Sequence, residues 1–339
     1  METEALLGQE QTLAPLLEAA SAGRLHHCYL FEGPGGVGKH TAAVRIAMAA
    51  ACRGTVGVMP CGECPECRHM SRGTHPDLVE IGLESEKKTP IISVRQAREV
   101  VAQVRMQRYS ARRRTIIIDP VDRLGVEGAN ALLKTLEEPP DGTGFVLVTS
   151  RVSALLPTVL SRSQRVRFSA VGVEELRQWL EGRGIPNAQR VARVSEGRPG
   201  RALELAGGEL EELDQTRKDL IGVLGQGPGE LFEYANKLTT GKSRLEWLVG
   251  VERLFVVVES LVRDAALVGS GSSGGLVHSD QREMVTRWSV ALWPSGVERL
   301  QQALDEARLR LTRNVAGRLV VESLLSDLAT ELGRARRAG

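Results

Sequence analysis

The sequence has no long apolar run. The longest, such as LFVVVESLV at 254–262, fall short of the roughly 20 residues that a membrane-spanning helix needs. The N-terminus lacks the basic-then-apolar pattern of a secretory signal. These absences predict a cytoplasmic protein with no membrane partner. Charge of one sign is missing too: 44 Lys and Arg stand against 42 Asp and Glu, a net of +2. That balance neither selects nor excludes a nucleic-acid partner, because a local basic patch can hide inside it. Internal repeats are absent. Cysteine is scarce, and four of the five fall between Cys52 and Cys67. In a cytosolic chain such clustering points to metal more than to disulfides.

The 339 residues suffice for two or three domains. The first 170 alternate strand-like runs with helical patterns. CYLFE (28–32), DLVEI (77–81), TIIID (115–119), FVLVTS (145–150) and RVRFS (165–169) read as strands. HTAAVRIAMAAAC (40–52) reads as a helix, and Ser93 as the cap of another whose Val94, Ala97, Val101 and Val104 share a face. Strands alternating with helices predict an α/β fold, a parallel sheet covered by helices on both sides. VEELRQWLEGRG and NAQRVARVSEG look like two short helices closed by glycine. From about 208 the pattern is helical, with GSGSSGG (269–275) as a loop between helices.

EGPGGVGKHT (32–41) is almost a phosphate-binding loop. Gly33, Gly38 and Lys39 have the required spacing between a strand and a helix. The backbone N–H groups around Gly33, Gly36 and Gly38 can cradle phosphates, and Lys39 can reach the β and γ phosphates. The next residue should carry a hydroxyl for Mg²⁺, and it is His40, a poor magnesium ligand. Thr41 lies one residue further around the helix and cannot simply step in. Asp119 ends a hydrophobic strand as a Walker-B aspartate does. Pro120 follows it, where many ATPases place a glutamate that polarises the attacking water. Losing such a base slows chemistry by roughly 10²- to 10⁴-fold. A loop of ATPase descent is predicted, with weak ATP or ADP binding and little hydrolysis of its own.

Cys52, Cys61, Cys64 and Cys67 are spaced C-x8-C-x2-C-x2-C. Four thiolates at such spacing predict a tetrahedral Zn²⁺ site, structural because no position remains for water. Free or redox-active thiols are the competing readings. Cys28 reads as a core thiol, and neither His69 nor His75 is favoured as a ligand.

GPGGVGK, HPDLVEI, ANALLKTLEEPP, LLPTVLSRSQ and EGRPGRALEL occur in order. Together they resemble the delta-prime family of bacterial DNA polymerase III clamp-loader subunits. The likeness covers residues 1 to about 207, and the remainder mainly through RNVAGRLVVESLL (313–325). The ALLKTLEEPP block is shared with tau/gamma motor subunits. Chain length, the altered catalytic positions and the LLPT–SRS wording favour delta-prime.

The resemblance implies an AAA+ P-loop base domain (1–170) with an inserted zinc module (about 52–67). It further implies a small helical lid (171–207) and an all-α collar (208–339). It implies a pentameric ring with tau/gamma and delta subunits that opens the β sliding clamp and places it on primer–template DNA. The implied part for this chain is a stator that presents an arginine to a neighbour's ATP. Arg162 matches that trans-acting finger, in Ser161-Arg162-Ser163, where the family has cysteine at the position of Ser163. Arg201 matches a sensor-2 arginine. Thr149 matches the sensor-1 region, although Ser150 and Arg151 follow where relatives often carry asparagine nearby.

Arg105, Arg108, Arg112, Arg113 and Arg114 form a basic cluster with Tyr109 as its one aromatic. It reads equally as a solvated loop or a DNA contact, with a partner's acidic groups as a third option. Two other functions compete with the stator. A tau/gamma-like ATP-driven motor is opposed by His40 and Pro120. A zinc-dependent nucleic-acid-binding module leaves the SRS and GRPGR segments unexplained.

Overall fold

A computed structural model describes residues 6–54, 60–83, 91–241, 243–272, 275–313 and 315–338. Residues 1–5 of the expected base domain, 55–59 of the cysteine module and 273–274 of the Gly/Ser run lie outside these ranges, as does position 314 of the RNVAGR segment. The chain divides into two units, Met1–Trp179 with Glu196–Arg201, and Leu180–Ser195 with Ala202–Gly339.

The first unit is built on five strands: β1 (Cys28–Glu32), β2 (Leu78–Ile81), β3 (Arg114–Ile118), β4 (Thr143–Thr149) and β5 (Gln164–Arg167). All pairings are parallel, and the order is β2-β3-β4-β1-β5. Between and around the strands run α1 (Glu10–Ser21), α2 (Lys39–Ala51), α3 (Pro65–Ser71), α4 (Val94–Val104), α5 (Val126–Glu137) and α6 (Pro157–Leu160). Strand side chains alternate between faces, and the core splits accordingly. Tyr29, Phe31, Ile117, Val146 and Val148 pack with α1, α2 and α3. Cys28, Leu30, Ile116, Ile118, Phe145 and Leu147 pack with α4 and α5. β1, β3 and β4 are buried along their whole length, which is why they read as continuous apolar runs instead of alternating ones. Phe31 and Phe145 are fully buried, and truncating either to Ala should cost about 3–5 kcal/mol.

Ser93 caps α4 as the sequence suggests. Its Oγ accepts from Gln96 N–H at 3.3 Å, and Gln96 Oε1 accepts from Ser93 N–H at 2.8 Å. The buried face differs slightly from the expected one: it is Ala97, Val100 and Val104, with Val101 only half-buried. Val101 packs at the margin of the same core cluster as Val100 and Val104.

The chain continues through α7 (Val173–Glu181), α8 (Ala188–Val194), α9 (Pro199–Glu204), α10 (Leu210–Leu224), α11 (Pro228–Thr239), α12 (Arg244–Gly269), α13 (Arg282–Leu292), α14 (Ser295–Thr312) and α15 (Gly317–Ala338). In the second unit α12 buries Val251, Leu254, Phe255, Val258, Leu261 and Ala265, the three-and-four spacing of a core-facing helix. Buried polar groups fasten the segment before α13 to it. Asp264 accepts from the N–H groups of Val277 (3.1 Å) and His278 (2.7 Å). His278 meets Ser260 Oγ at 2.8 Å and Arg217 at 3.1 Å, and Arg217 grips Asp280 through two bonds. Every member of this network is partnered, as burial requires. No helix among the described residues is long and apolar enough to cross a membrane.

Candidate functional site

The phosphate loop joins β1 to α2. Gly33, Gly36 and Gly38 all have positive φ, at 143°, 79° and 93°. At Gly36 a Cβ would lie 2.9 Å from the backbone nitrogen of Arg201, and Gly200 N–H donates to Gly36 O at 2.7 Å. The start of α9 thus lies directly on the loop, bringing the backbone of Arg201 to it. Lys39 is buried and turned inward. Its ammonium donates to Gly33 O (2.6 Å), Pro34 O (2.5 Å) and Ser150 Oγ (3.2 Å). Burial pushes its pKa down, and the attraction of Asp119 and Asp122 does not restore it. The loop's own carbonyls therefore hold the cation that a phosphate would need.

His40 sits in the first turn of α2. Its Nδ1 lies 3.1 Å from Asp119 Oδ2, and its Nε2 lies 3.9 Å from Glu80 Oε2. The hydrogen bond to Asp119 raises its pKa; burial works against this, and the charges of Asp119 and Glu80 add to the rise. Thr41 is exposed. Thr149 is fully buried, and its hydroxyl donates to Asp122 Oδ1 at 2.8 Å. Asp122 also pairs with Arg151 at 3.0 Å. Of the two hydroxyls ending β4, Ser150 is the one that reaches Lys39.

Arg162 follows α6 and borders a cleft of about 360 Å³ that His26, His27, Glu137, Ser161, Ser163 and Gln164 also line. Its Nη1 donates to Thr158 O at 3.1 Å and Ser161 Oγ at 3.3 Å, and its Nη2 lies 3.1 Å from Glu137 Oε2. Its Nε, shut off from solvent, has no hydrogen-bond partner among the described residues. Ser163 Oγ donates to Val159 O at 2.8 Å and lies 3.3 Å from Cys28 Sγ. Burial pushes the Cys28 thiol up to about 11, so it stays protonated.

The sulfurs of Cys52, Cys61, Cys64 and Cys67 all lie within 4.8 Å of one another. Four sulfurs around a zinc ion, at about 2.3 Å each, would be ~3.8 Å apart. Cys61 and Cys67 are 3.9 Å apart. Backbone N–H groups point at the sulfurs: Gly54 at Cys52 (3.3 Å), Cys64 at Cys61 (3.4 Å) and Cys67 at Cys64 (3.4 Å). Such donors favour thiolate. The N–H groups of Cys64 and Glu63 hold Cys61 down at about 6, whereas burial pushes Cys67 up. This donor set fits Zn²⁺. His75 is occupied elsewhere, accepting from Asp77 N–H at 3.0 Å, and His69 meets Thr74 at 3.2 Å.

The basic cluster divides. Arg114 is buried on Asp77 at 3.1 Å, and Arg113 donates to Leu25 O (2.9 Å) and His26 O (2.5 Å). Arg105, Arg108 and Arg112 are exposed. The sequence reading missed Glu80, Asp122 and Glu137, and named Ser150 only as the residue after Thr149, not as a partner of Lys39. Glu137 stood within the quoted LEEPP segment, and Glu80 within HPDLVEI, yet nothing local marked either as a partner of a distant cation.

Comparison with known proteins agrees with this picture. Residues 8–172 match the sequence model of a family described as DNA polymerase III, delta subunit. The Bacillus subtilis DNA polymerase III subunit delta′ is 26% identical over 325 residues, covering 94% of this chain and 95% of its own. The Escherichia coli tau subunit is 35% identical over 65% of this chain and the Pseudomonas aeruginosa delta′ subunit 34% identical over 55%. The chain matches only 35% and 57% of the lengths of those two relatives. A gamma subunit-related structure from Thermotoga maritima has the same fold, with a TM-score of 0.50 and 18% identity over 96% of this chain and 100% of its own. The match over residues 8–172 and the nearly end-to-end likeness to a delta′ subunit agree: the chain is similar to the delta′ subunits of DNA polymerase III.

Proposed function

We propose that this chain is the stator of a bacterial clamp loader. It joins tau/gamma and delta subunits in a pentameric ring that places the β sliding clamp on primer–template DNA in the cytoplasm. The first unit carries the AAA+ base with its zinc module, residues 171–207 act as the lid, and the helices from 208 onward form the collar. Zn²⁺ on Cys52, Cys61, Cys64 and Cys67 is structural. With four thiolates in place the ion leaves no position for water, so its part is to fasten the end of α2 to α3.

The chain's own residues divide the catalytic labour. Lys39, held by loop carbonyls, and Pro120, which offers no base beside Asp119, leave the loop without hydrolytic machinery. Any ATP or ADP there binds weakly. Arg162 serves the neighbour's nucleotide instead, where a guanidinium stabilises charge developing on the γ-phosphate, worth roughly 10³- to 10⁵-fold in rate. The observation that carries this reading is the contrast between two cations. Lys39 is buried and satisfied by its own loop, while Arg162 borders an open cleft with its Nη2 held by the half-exposed Glu137.

The test is ATP turnover by the purified chain. It should stay at background, and Lys39→Ala should change nothing. Robust turnover that Lys39→Ala abolishes would instead favour the tau/gamma-like motor.

A further inference from the structure

The magnesium chemistry that a phosphate loop implies does not fit these residues. A hydroxyl should stand after Lys39, and His40 stands there. Its side chain is engaged: Nδ1 is 3.1 Å from Asp119 Oδ2, and Nε2 is 3.9 Å from Glu80 Oε2. Three elements supply this arrangement, namely the first turn of α2, the residue after β3, and the interior of β2. Mg²⁺ demands oxygen ligands in near-octahedral geometry. To reach Asp119 the ion would have to displace the ring, and the ring has no oxygen to offer in exchange. Thr41 is exposed and one position further around the helix, so it cannot replace the missing hydroxyl.

The rest of the loop keeps the means to hold an anion. Gly33, Gly36 and Gly38 retain the positive φ of a cradle. Lys39 is held by two carbonyl oxygens and a hydroxyl. These are neutral acceptors, so an arriving phosphate, carrying full charge, can take the ammonium from them.

We infer that His40 sets the loop's specificity: lodged between Asp119 and Glu80, it fills the divalent-ion position, so the loop takes a metal-free polyphosphate and rejects the Mg²⁺ complex. This rests on reading the loop as a weak nucleotide site and is independent of Arg162. A stator benefits from the arrangement. Metal-free nucleotide cannot follow the metal-assisted route to hydrolysis, so the site cannot compete with its neighbours as a motor.

The test uses the full zinc-loaded chain and a fluorescent ATP analogue, titrated in EDTA and again in excess Mg²⁺. Wild type should bind at least as tightly in EDTA. His40→Ser restores the hydroxyl and releases Asp119, and should shift the ratio of the two Kd values at least about tenfold toward the Mg²⁺ complex. His40→Lys keeps a nitrogen donor beside Asp119 and offers no oxygen, and should retain the wild-type preference. Mn²⁺ alone, followed by electron paramagnetic resonance, should bind the loop of His40→Ser and not that of wild type. Circular dichroism and zinc content of each variant report on folding. Tighter wild-type binding with Mg²⁺, or an unchanged ratio in His40→Ser, overturns the inference. So does an absence of nucleotide binding by both proteins, an outcome that leaves the stator reading standing on Arg162.

Discussion

Arg162 Nη2 lies 3.1 Å from Glu137 Oε2, joining the end of α6 to the end of α5. Both side chains are partly exposed, at 29% and 56%. An ion pair so placed is worth no more than about 1 kcal/mol. It is strong enough to orient the guanidinium and weak enough to yield it to a more highly charged phosphate. Glu137→Gln should therefore change the unfolding free energy by less than about 1 kcal/mol, as read from urea denaturation. A loss of several kcal/mol would make the pair a structural strut and Arg162 a poor candidate for any contact outside the chain.

The cysteine cluster makes a compositional prediction. Anaerobically purified protein should contain about one Zn²⁺ per chain, and Cys64→Ser should lose most of it. Because ligand assembly is coupled to local folding, the variant should also unfold at lower temperature and α2 and α3 should exchange amide hydrogens faster. Elemental analysis that finds no zinc in wild type would remove the metal from the account.

Asp77 ties the segment before β3 to the sheet. Its carboxylate accepts from Tyr109, Ser110 and Ala111 N–H at 2.9–3.0 Å and from Arg114 at 3.1 Å. Burial pushes its pKa up, but those N–H groups and the guanidinium outweigh it and leave it below the usual carboxylate value. A lowered folded pKa means stability that is present above the unfolded value of about 3.9 and lost as pH falls through the folded value. Asp77→Asn should cost about 3–5 kcal/mol near neutral pH, since it leaves Arg114 buried without its counter-charge. The gap to wild type should narrow as pH drops below about 4. Denaturation curves showing a gap that does not change with pH would mean that the carboxylate charge is not what matters.

How legible was this in the sequence? The strands were, because a parallel sheet covered on both faces writes unbroken apolar runs such as TIIID and FVLV. The cap at Ser93 was, because its partner Gln96 is three residues away. Partners distant in sequence were not. His40 meets Asp119 across 79 residues, and no local pattern encodes that meeting. The choice between Thr149 and Ser150 depends on which way β4 turns its last side chain, and register is fixed by β1 and β3 rather than by β4 itself. Arg113 and Arg114 looked like the rest of a basic surface. They are drawn inward because Asp77 and the carbonyls of Leu25 and His26 wait for them.

The central claim is that Arg162 acts on a neighbour's nucleotide, and one measurement reaches it most directly. Wild-type and Arg162→Ala chains are assembled into the complete clamp loader, and clamp- and DNA-stimulated ATPase is followed together with clamp loading. Assembly should be intact, with both activities reduced and not abolished, since only the site facing this subunit loses its guanidinium. Arg162→Lys should rescue poorly, because an ammonium lacks the planar fork. If the Arg162→Ala complex matches wild type in both activities, Arg162 is not a trans-acting finger and the stator mechanism proposed for this chain is wrong.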